Sequence, residues 1–319
     1  MFGDRAAGGV KNNINNKKMN YGVPYMGSKN SIAADIVKFL PEADNFYDLF
    51  AGGCAVTHAA MLSGKYKNVY ANDLDSRPVT LFRDGIDGKY KDEKRWISRE
   101  DFLRLKGTAP YVALCWSFGN NAKHYLYGRY IEPWMRALHH ARVFGDFSFF
   151  DRMSIKTDGS PNDINLHLNE YQRKYESWLG GMGVPVMTFD HLPSFSHTER
   201  VKSLGILKNS ENPEMPDQIQ GLFDPVSLQI SNLDYMDVKI KPGSVIYCDI
   251  PYRNTAGYKY PFSHDEFYDW CMLHKGHIFI SEYNMPNDRF RIVWQKPKRC
   301  TMSSACNSKV AIEKIYIPI

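Results

Sequence analysis

FYDLFAGGCAVTHAAMLSGKYKNVYANDLD, residues 46–75, carries the reading that decides the fold. FYDLF (46–50) is a short apolar run closed by Ala51, Gly52 and Gly53, and reads as a buried strand. CAVTHAAMLSGKY (54–66) places small and apolar residues at helical spacing. NVYANDLD (68–75) is a second strand whose apolar part stops at Asp73. Strand, helix and strand in succession predict an α/β domain with a parallel sheet.

Outward from this unit the rhythm continues. GSVIYCDIPY (243–252) is a third strand ending abruptly at Asp249. Ser263-His264-Asp265-Glu266 reads as a capping box opening a helix to about residue 274. HIFIS (277–281) is a further strand, and segments near 292–294 and 310–317 are expected to complete the sheet as an antiparallel pair. Upstream, VPYMGSKNSIAADIVKFLP (23–41) pairs a Gly-Ser-Lys turn with an amphipathic helix. Residues 84–232 break the pattern, first with helical Lys-, Arg- and aromatic-rich sequence, then with polar loops such as SENPEMPDQIQG (210–221). A connection of that length between sheet strands is more than a loop. The expected organisation is a leader at 1–20, a catalytic domain from 21–83 and 233–319, and an inserted, mainly helical domain at 84–232.

The 319 residues are 43% hydrophobic and 24% charged, ordinary globular composition. No run approaches the roughly 18 apolar residues of a membrane helix. The Asn- and Lys-rich first twenty residues lack the apolar block of a signal peptide, and read as a disordered leader. The six cysteines form no CxxC pair, which fits reduced thiols in a cytoplasmic protein better than disulfides or zinc. A net charge of +5 permits nucleic-acid binding without demanding it.

Ligands of open α/β sheets bind beyond the carboxyl ends of the strands. After Phe50, the Gly52-Gly53 turn lets backbone approach a ligand closely. Asp73 ends the next strand, where an acidic residue accepts hydrogen bonds from a ribose diol. Two adjacent glycines alone make a turn, and a lone Asp is a solvated acid. Together, about twenty residues apart, they favour a nucleoside site. Lys29, at a predicted helix start, is placed to hold a carboxylate.

The tetrapeptide Asp249-Ile250-Pro251-Tyr252 suits chemistry on an exocyclic amine, whose lone pair is delocalised into its ring. The Asp249 carboxylate accepting one N–H and the Ile250 carbonyl accepting the other would localise that pair and stabilise positive charge developing on nitrogen. Pro251 stiffens the turn. Tyr252 is placed to stack on a base drawn out of a duplex, and its ring face to attract a sulfonium.

In order, YMGSK (25–29), DLFAGG (48–53), ANDLD (71–75), LDY (233–235) and CDIPY (248–252) resemble the Dam-like, D12-class (group alpha) adenine-specific DNA methyltransferases, over most of residues 21–317. The resemblance implies a Rossmann-like S-adenosylmethionine-dependent sheet with an inserted target-recognition domain. It implies transfer of methyl from S-adenosylmethionine, leaving S-adenosylhomocysteine, to the 6-amino group of a flipped adenine in double-stranded DNA, with no metal. It places Tyr25, Gly27 and Lys29 at the methionine moiety, Lys29 on its carboxylate. Asp48, Phe50, Gly52 and Gly53 line the cofactor pocket and Asp73 holds the ribose. Asp234 accepts from the cofactor's adenine amino group, with Tyr235 beside it. Ile250 departs from the family's usual DPPY, and Cys54 from its usual glycine or alanine; SFGNN (117–121) has a phage-like look.

Between Arg83 and Arg142, Lys and Arg interleave with Trp116, Phe118, Tyr125, Tyr127, Tyr130 and Trp134. Cations suit phosphates and aromatics can wedge bases, although most of these rings are expected in the core. Asn120, Lys123, Tyr127 and Arg129 are the expected DNA contacts. Neither a membrane nor an obligate protein partner is indicated. Methylation of another planar amine (cytosine, adenine in RNA, a protein glutamine) and an inactive DNA-binding relative share these motifs. A nucleotide-dependent oxidoreductase predicts GxGxxG after the first strand, which is absent.

Overall fold

The structure, a computed structural model, describes residues 19–129, 131–146, 148–152, 193–204, 226–253, 260–299 and 310–319. The expected leader up to position 18, the polar loops at 153–192 and 205–225, Tyr130, Cys300 and Cys306 lie outside them.

A seven-stranded sheet runs β3-β2-β1-β4-β5-β7-β6. Its strands are β1 (Asn45–Asp48), β2 (Asn68–Asn72), β3 (Ser227–Ser231), β4 (Val245–Asp249), β5 (Ile278–Glu282), β6 (Phe290–Arg299) and β7 (Val310–Pro318). The five strands from β3 to β5 are parallel; β7 and β6 close the other edge antiparallel, as expected of the tail. Successive strand residues face opposite sides. Phe46, Val69, Val245 and Tyr247 therefore pack under α1 (Ala33–Phe39) and α2 (Ala55–Leu62), in one core with Ile36, Val37, Val56 and Ala60. Tyr47, Ile246, Cys248, Ile278 and Ile280 pack on the opposite face with Phe267, Tyr268 and Cys271. Burial on both faces is why the parallel strands read as near-continuous apolar runs.

Local signals set most boundaries. The Ser263 hydroxyl accepts from the Glu266 N–H (3.3 Å) and opens α9 (His264–Met272), as the capping box predicts. Two boundaries differ. β1 stops at Asp48, two residues short of the expected strand, because the chain turns there towards α2. α1 begins at Ala33, so Lys29 lies in the preceding turn rather than at a helix start.

A third difference concerns the insertion. Residues 227–231, expected within it, are β3, the sheet edge paired with β2. What separates α3 (Ser76–Ile86) from β3 includes α4 (Arg99–Leu105), α5 (Pro110–Cys115), α6 (Glu132–Phe144), α7 (Ser148–Asp151) and α8 (Pro193–Lys202). This helical block shares one continuous core with α3 and the first turn, from Cys54, Leu81 and Phe82 to Trp116, Val201 and Leu204.

Candidate active site

β1 has β2 on one side and β4 on the other, so the strand order reverses between β1 and β4. Open sheets bind ligands beyond such a reversal. The carboxyl ends meeting there carry Asp48 and Asp249.

Asp48 is 1% exposed. Its Oδ2 accepts from the Thr57 N–H (3.1 Å) and hydroxyl (2.7 Å), capping the first turn of α2 from the neighbouring strand. Cys54, the residue before α2, has φ +56 and supplies no side-chain cap. That left-handed backbone explains why a glycine suits its position. Among the described residues Asp48 Oδ1 has no hydrogen-bond partner. Burial, with Asp249 and Asp73 nearby, pushes its pKa up to about 7. Asp73, half-buried, accepts from the N–H groups of Gly52 (2.7 Å) and Asp75 (2.8 Å), and burial pushes its pKa up to about 6. Tyr25 lies across the turn so closely that a Cβ on Gly53 would stand 2.6 Å from its own. Gly27 is exposed in a left-handed turn.

Lys29 is 5% exposed and its ammonium lies 2.7 Å from Asp249 Oδ1 and 3.7 Å from Glu313 Oε2. Burial opposes its charge, but the two carboxylates prevail and raise its pKa. The Asp249 side chain retains 21% exposure. Ile250 is buried in the core and Pro251 offers its carbonyl to His264 Nε2 (2.9 Å). Tyr252, expected as an open stacking surface, is 8% exposed because its hydroxyl is drawn inward to Glu313 and its ring meets Tyr283 edge-on at 4.6 Å. The cation over its ring is Lys29, 4.7 Å from the centroid.

Asn72 binds the strand ends together. Its amide donates to the carbonyls of Leu49 (3.2 Å) and Leu233 (3.0 Å) and its Oδ1 accepts from Ser231 and from the Leu233 N–H. This holds Asp234, half-buried, at the start of a short turn where it accepts from the Met236 N–H (3.0 Å). Tyr235 and Phe50 form an aromatic wall with Phe262 and Phe267 at 5.3–6.1 Å.

Residues 25–144 match the family described as D12 class N6 adenine-specific DNA methyltransferase. Among solved structures the chain is similar to the rRNA methyltransferase aviRa from Streptomyces viridochromogenes, at 10% identity over 90% of this chain and 83% of that one, with a TM-score of 0.35. No curated protein matches by sequence. The parallel sheet with its order reversal and antiparallel edge is Rossmann-like, and the match at residues 25–144 is to a methyltransferase family.

The methyltransferase family implies S-adenosylmethionine, which carries a sulfonium and an ammonium. Beyond burial, Asp249 and Asp73 raise the pKa of Asp48, Asp249 raises that of Asp73, and Asp48 Oδ1 is buried without a hydrogen-bond partner among the described residues. A cationic ligand would relieve that repulsion, so the residues fit the group. Among the described residues no cluster of three His, Cys, Asp or Glu side chains suits a metal ion. No described helix is long and apolar enough to cross a membrane.

The expected DNA contacts divide. Lys123 and Arg129 are exposed. Tyr127 is instead 5% exposed and stacked on Trp96 at 5.6 Å, a core residue like Trp116 and Tyr125. Asn120 turns its amide inward to the Leu114 carbonyl (2.9 Å), fixed by its left-handed backbone. Sequence pattern missed Glu313, although an acid on the same strand face as buried Ile315 is a usable signal. It also missed Arg200, whose guanidinium donates to the Tyr21 and Gly22 carbonyls and ties α8 to the segment bearing Tyr25 and Lys29.

Proposed function

We propose that the chain transfers a methyl group from S-adenosylmethionine to the 6-amino group of an adenine flipped out of double-stranded DNA. The observation that carries this reading is Asp249, a partly open carboxylate at the end of β4, across the sheet reversal from the Gly52–Gly53 turn whose N–H donates to Asp73. Asp73 would accept from the ribose and Asp234 from the cofactor's adenine amine, with Phe50 and Tyr235 forming the apolar wall. Asp48 would face the positive charge of the bound ligand. Once bound, the sulfonium supplies an activated methyl with a neutral leaving group.

Asp249 would accept one N–H of the target amine and the Ile250 carbonyl the other, offsetting charge developing on nitrogen. His264 holds the Pro251 carbonyl and keeps that turn in place. Lys29, engaged with Asp249, is assigned to the catalytic carboxylate rather than to the methionine carboxylate. Tyr252 serves as an anchored wall beside Asp249. Lys123 and Arg129 are the proposed phosphate contacts.

Labelled S-adenosylmethionine is incubated with the protein and either duplex DNA of mixed sequence or RNA, and digestion of each nucleic acid to nucleosides tests the proposal. Label in N6-methyladenine supports it. Label in methylcytosine, or in RNA and not DNA, overturns it.

A further inference from the structure

The β6–β7 hairpin lies outside every motif that points to methyl transfer, yet it sends one carboxyl side chain into the site. Glu313 on β7 is 1% exposed. Its Oε1 accepts from the Tyr252 hydroxyl and from Ser281 Oγ (3.0 Å). Its Oε2 has no hydrogen-bond partner among the described residues and lies 3.7 Å from the Lys29 ammonium. The same ammonium is 2.7 Å from Asp249 and over the Tyr252 ring. The hydrogen bonds and ion pair of Glu313 thus end on Tyr252, on Ser281, which is the register partner of Asp249 across β4 and β5, and on Lys29.

An isolated carboxylate so deeply buried is strongly disfavoured unless a cation neutralises it. Lys29 is that cation, and it is shared. Its near partner is the partly exposed Asp249; its far partner is wholly buried. An incoming amine competes with Lys29 for the Asp249 carboxylate. A lysine released into an apolar interior would lose its charge or raise the barrier. Glu313 Oε2 offers a second acceptor about one ångström beyond hydrogen-bond length, so Lys29 can move without becoming an unpaired buried charge.

Resting on the proposed methyl transfer, we infer that Glu313 is a positioning residue: it anchors the Tyr252 hydroxyl and takes over the Lys29 ammonium when the target amine engages Asp249. It need not touch substrate. Its work is to keep Asp249 ionised and correctly aimed in both states.

Glu313→Gln keeps a carbonyl acceptor for Tyr252 and removes only the charge. Single-turnover methyl transfer to mixed-sequence duplex DNA is expected to fall about 10–100-fold, with the cofactor dissociation constant within about threefold of wild type. The Lys29 ammonium, followed by NMR with 15Nζ-labelled lysine, is expected to titrate lower in Glu313→Gln than in wild type. Lys29→Met should lower the rate, and adding Glu313→Gln to it should cost nothing further. That double variant also removes both buried charges, so it remains folded if Glu313→Gln alone does not. Unchanged Lys29 titration in Glu313→Gln, or full additivity of the two substitutions, overturns the inference. If wild type transfers no methyl to DNA, the reading of function fails, while the Lys29 titration still decides whether Glu313 holds the ammonium.

Discussion

Asp48 and Asp249 sit one strand apart and make opposite use of burial. Asp48 caps α2 and is pushed up to about 7 by burial. The unfolded carboxyl ionises near 4, so between pH 4 and 7 the folded chain holds a proton that the unfolded chain has lost. That contribution to stability is full below pH 4 and gone by about 7. His58, driven down to about 4 by burial, works in the opposite sense as pH falls below 6.5. Comparing Asp48→Asn with wild type isolates the carboxyl: from pH 5 to 8 the ligand-free Tm of wild type should fall at least about 2 °C further than that of the variant. Asp249→Ala should reduce methyl transfer more than tenfold, about 1.4 kcal/mol, with cofactor affinity nearly unchanged. It should also lower stability by about 1–3 kcal/mol, because Lys29 keeps only the more distant Glu313. Urea titration and single-turnover assays check the two effects separately.

At the scale of elements, the turn after β1 is fastened by its neighbours. Val23 donates to the Gly53 carbonyl (2.8 Å), and Gly22, at φ +67, donates to His58 Nδ1 (3.0 Å). A Cβ on Gly22 would lie 2.1 Å from the Gly53 oxygen, whereas one on Gly27, also left-handed, meets nothing within 4 Å. Gly22→Ala should therefore cost about 3 kcal/mol or more, and Gly27→Ala about 1 kcal/mol, measurable by chemical denaturation. The contrast separates close backbone approach from backbone conformation alone. This level also marks how far sequence reading reaches. Four of the five parallel strands, the capping box at Ser263 and the antiparallel tail were legible because apolar period and capping chemistry are local signals. The same signals brought Asp48, Gly52, Asp73 and Asp249 to one end of the sheet. Lys29 beside Asp249 was not legible, because an ion pair across 220 positions leaves no spacing to read. β3 escaped for a similar reason: SLQIS is short and half-polar, as an edge strand can be, and resembles the loops before it. Tyr127 and Asn120 misled because an aromatic-rich basic stretch looks the same whether its rings face solvent or each other.

Over the whole molecule the excess of five positive charges is distributed unevenly in its effect. Within the helical block Lys89, Arg95, Arg99 and Arg104 are ion-paired with Asp84, Glu93, Glu132 and Asp101. Exposed Lys123 and Arg129 form no ion pair among the described residues. Replacing both with Glu should weaken duplex binding at low salt and reduce the slope of log affinity against log salt by about 2, as for two lost phosphate contacts. Tyr127→Ala should instead lower Tm by several degrees through core loss, with the salt slope retained in the folded fraction. Titrations at several salt concentrations, alongside melting curves, distinguish the two. The edge strand β3 has a temporal implication. Asn72 and Ser231, hydrogen-bonded across the β2–β3 pair, are 159 positions apart, and the segment bearing Asp234 and Tyr235 follows immediately. Closing so long a loop is slow compared with forming a local helix. On a ribosome, β1, α2 and β2 emerge long before their missing neighbour does. On the proposed reading, the newborn chain gains competence for its cofactor only after the whole helical block has been made, and in refolding experiments that competence should appear in the last kinetic phase.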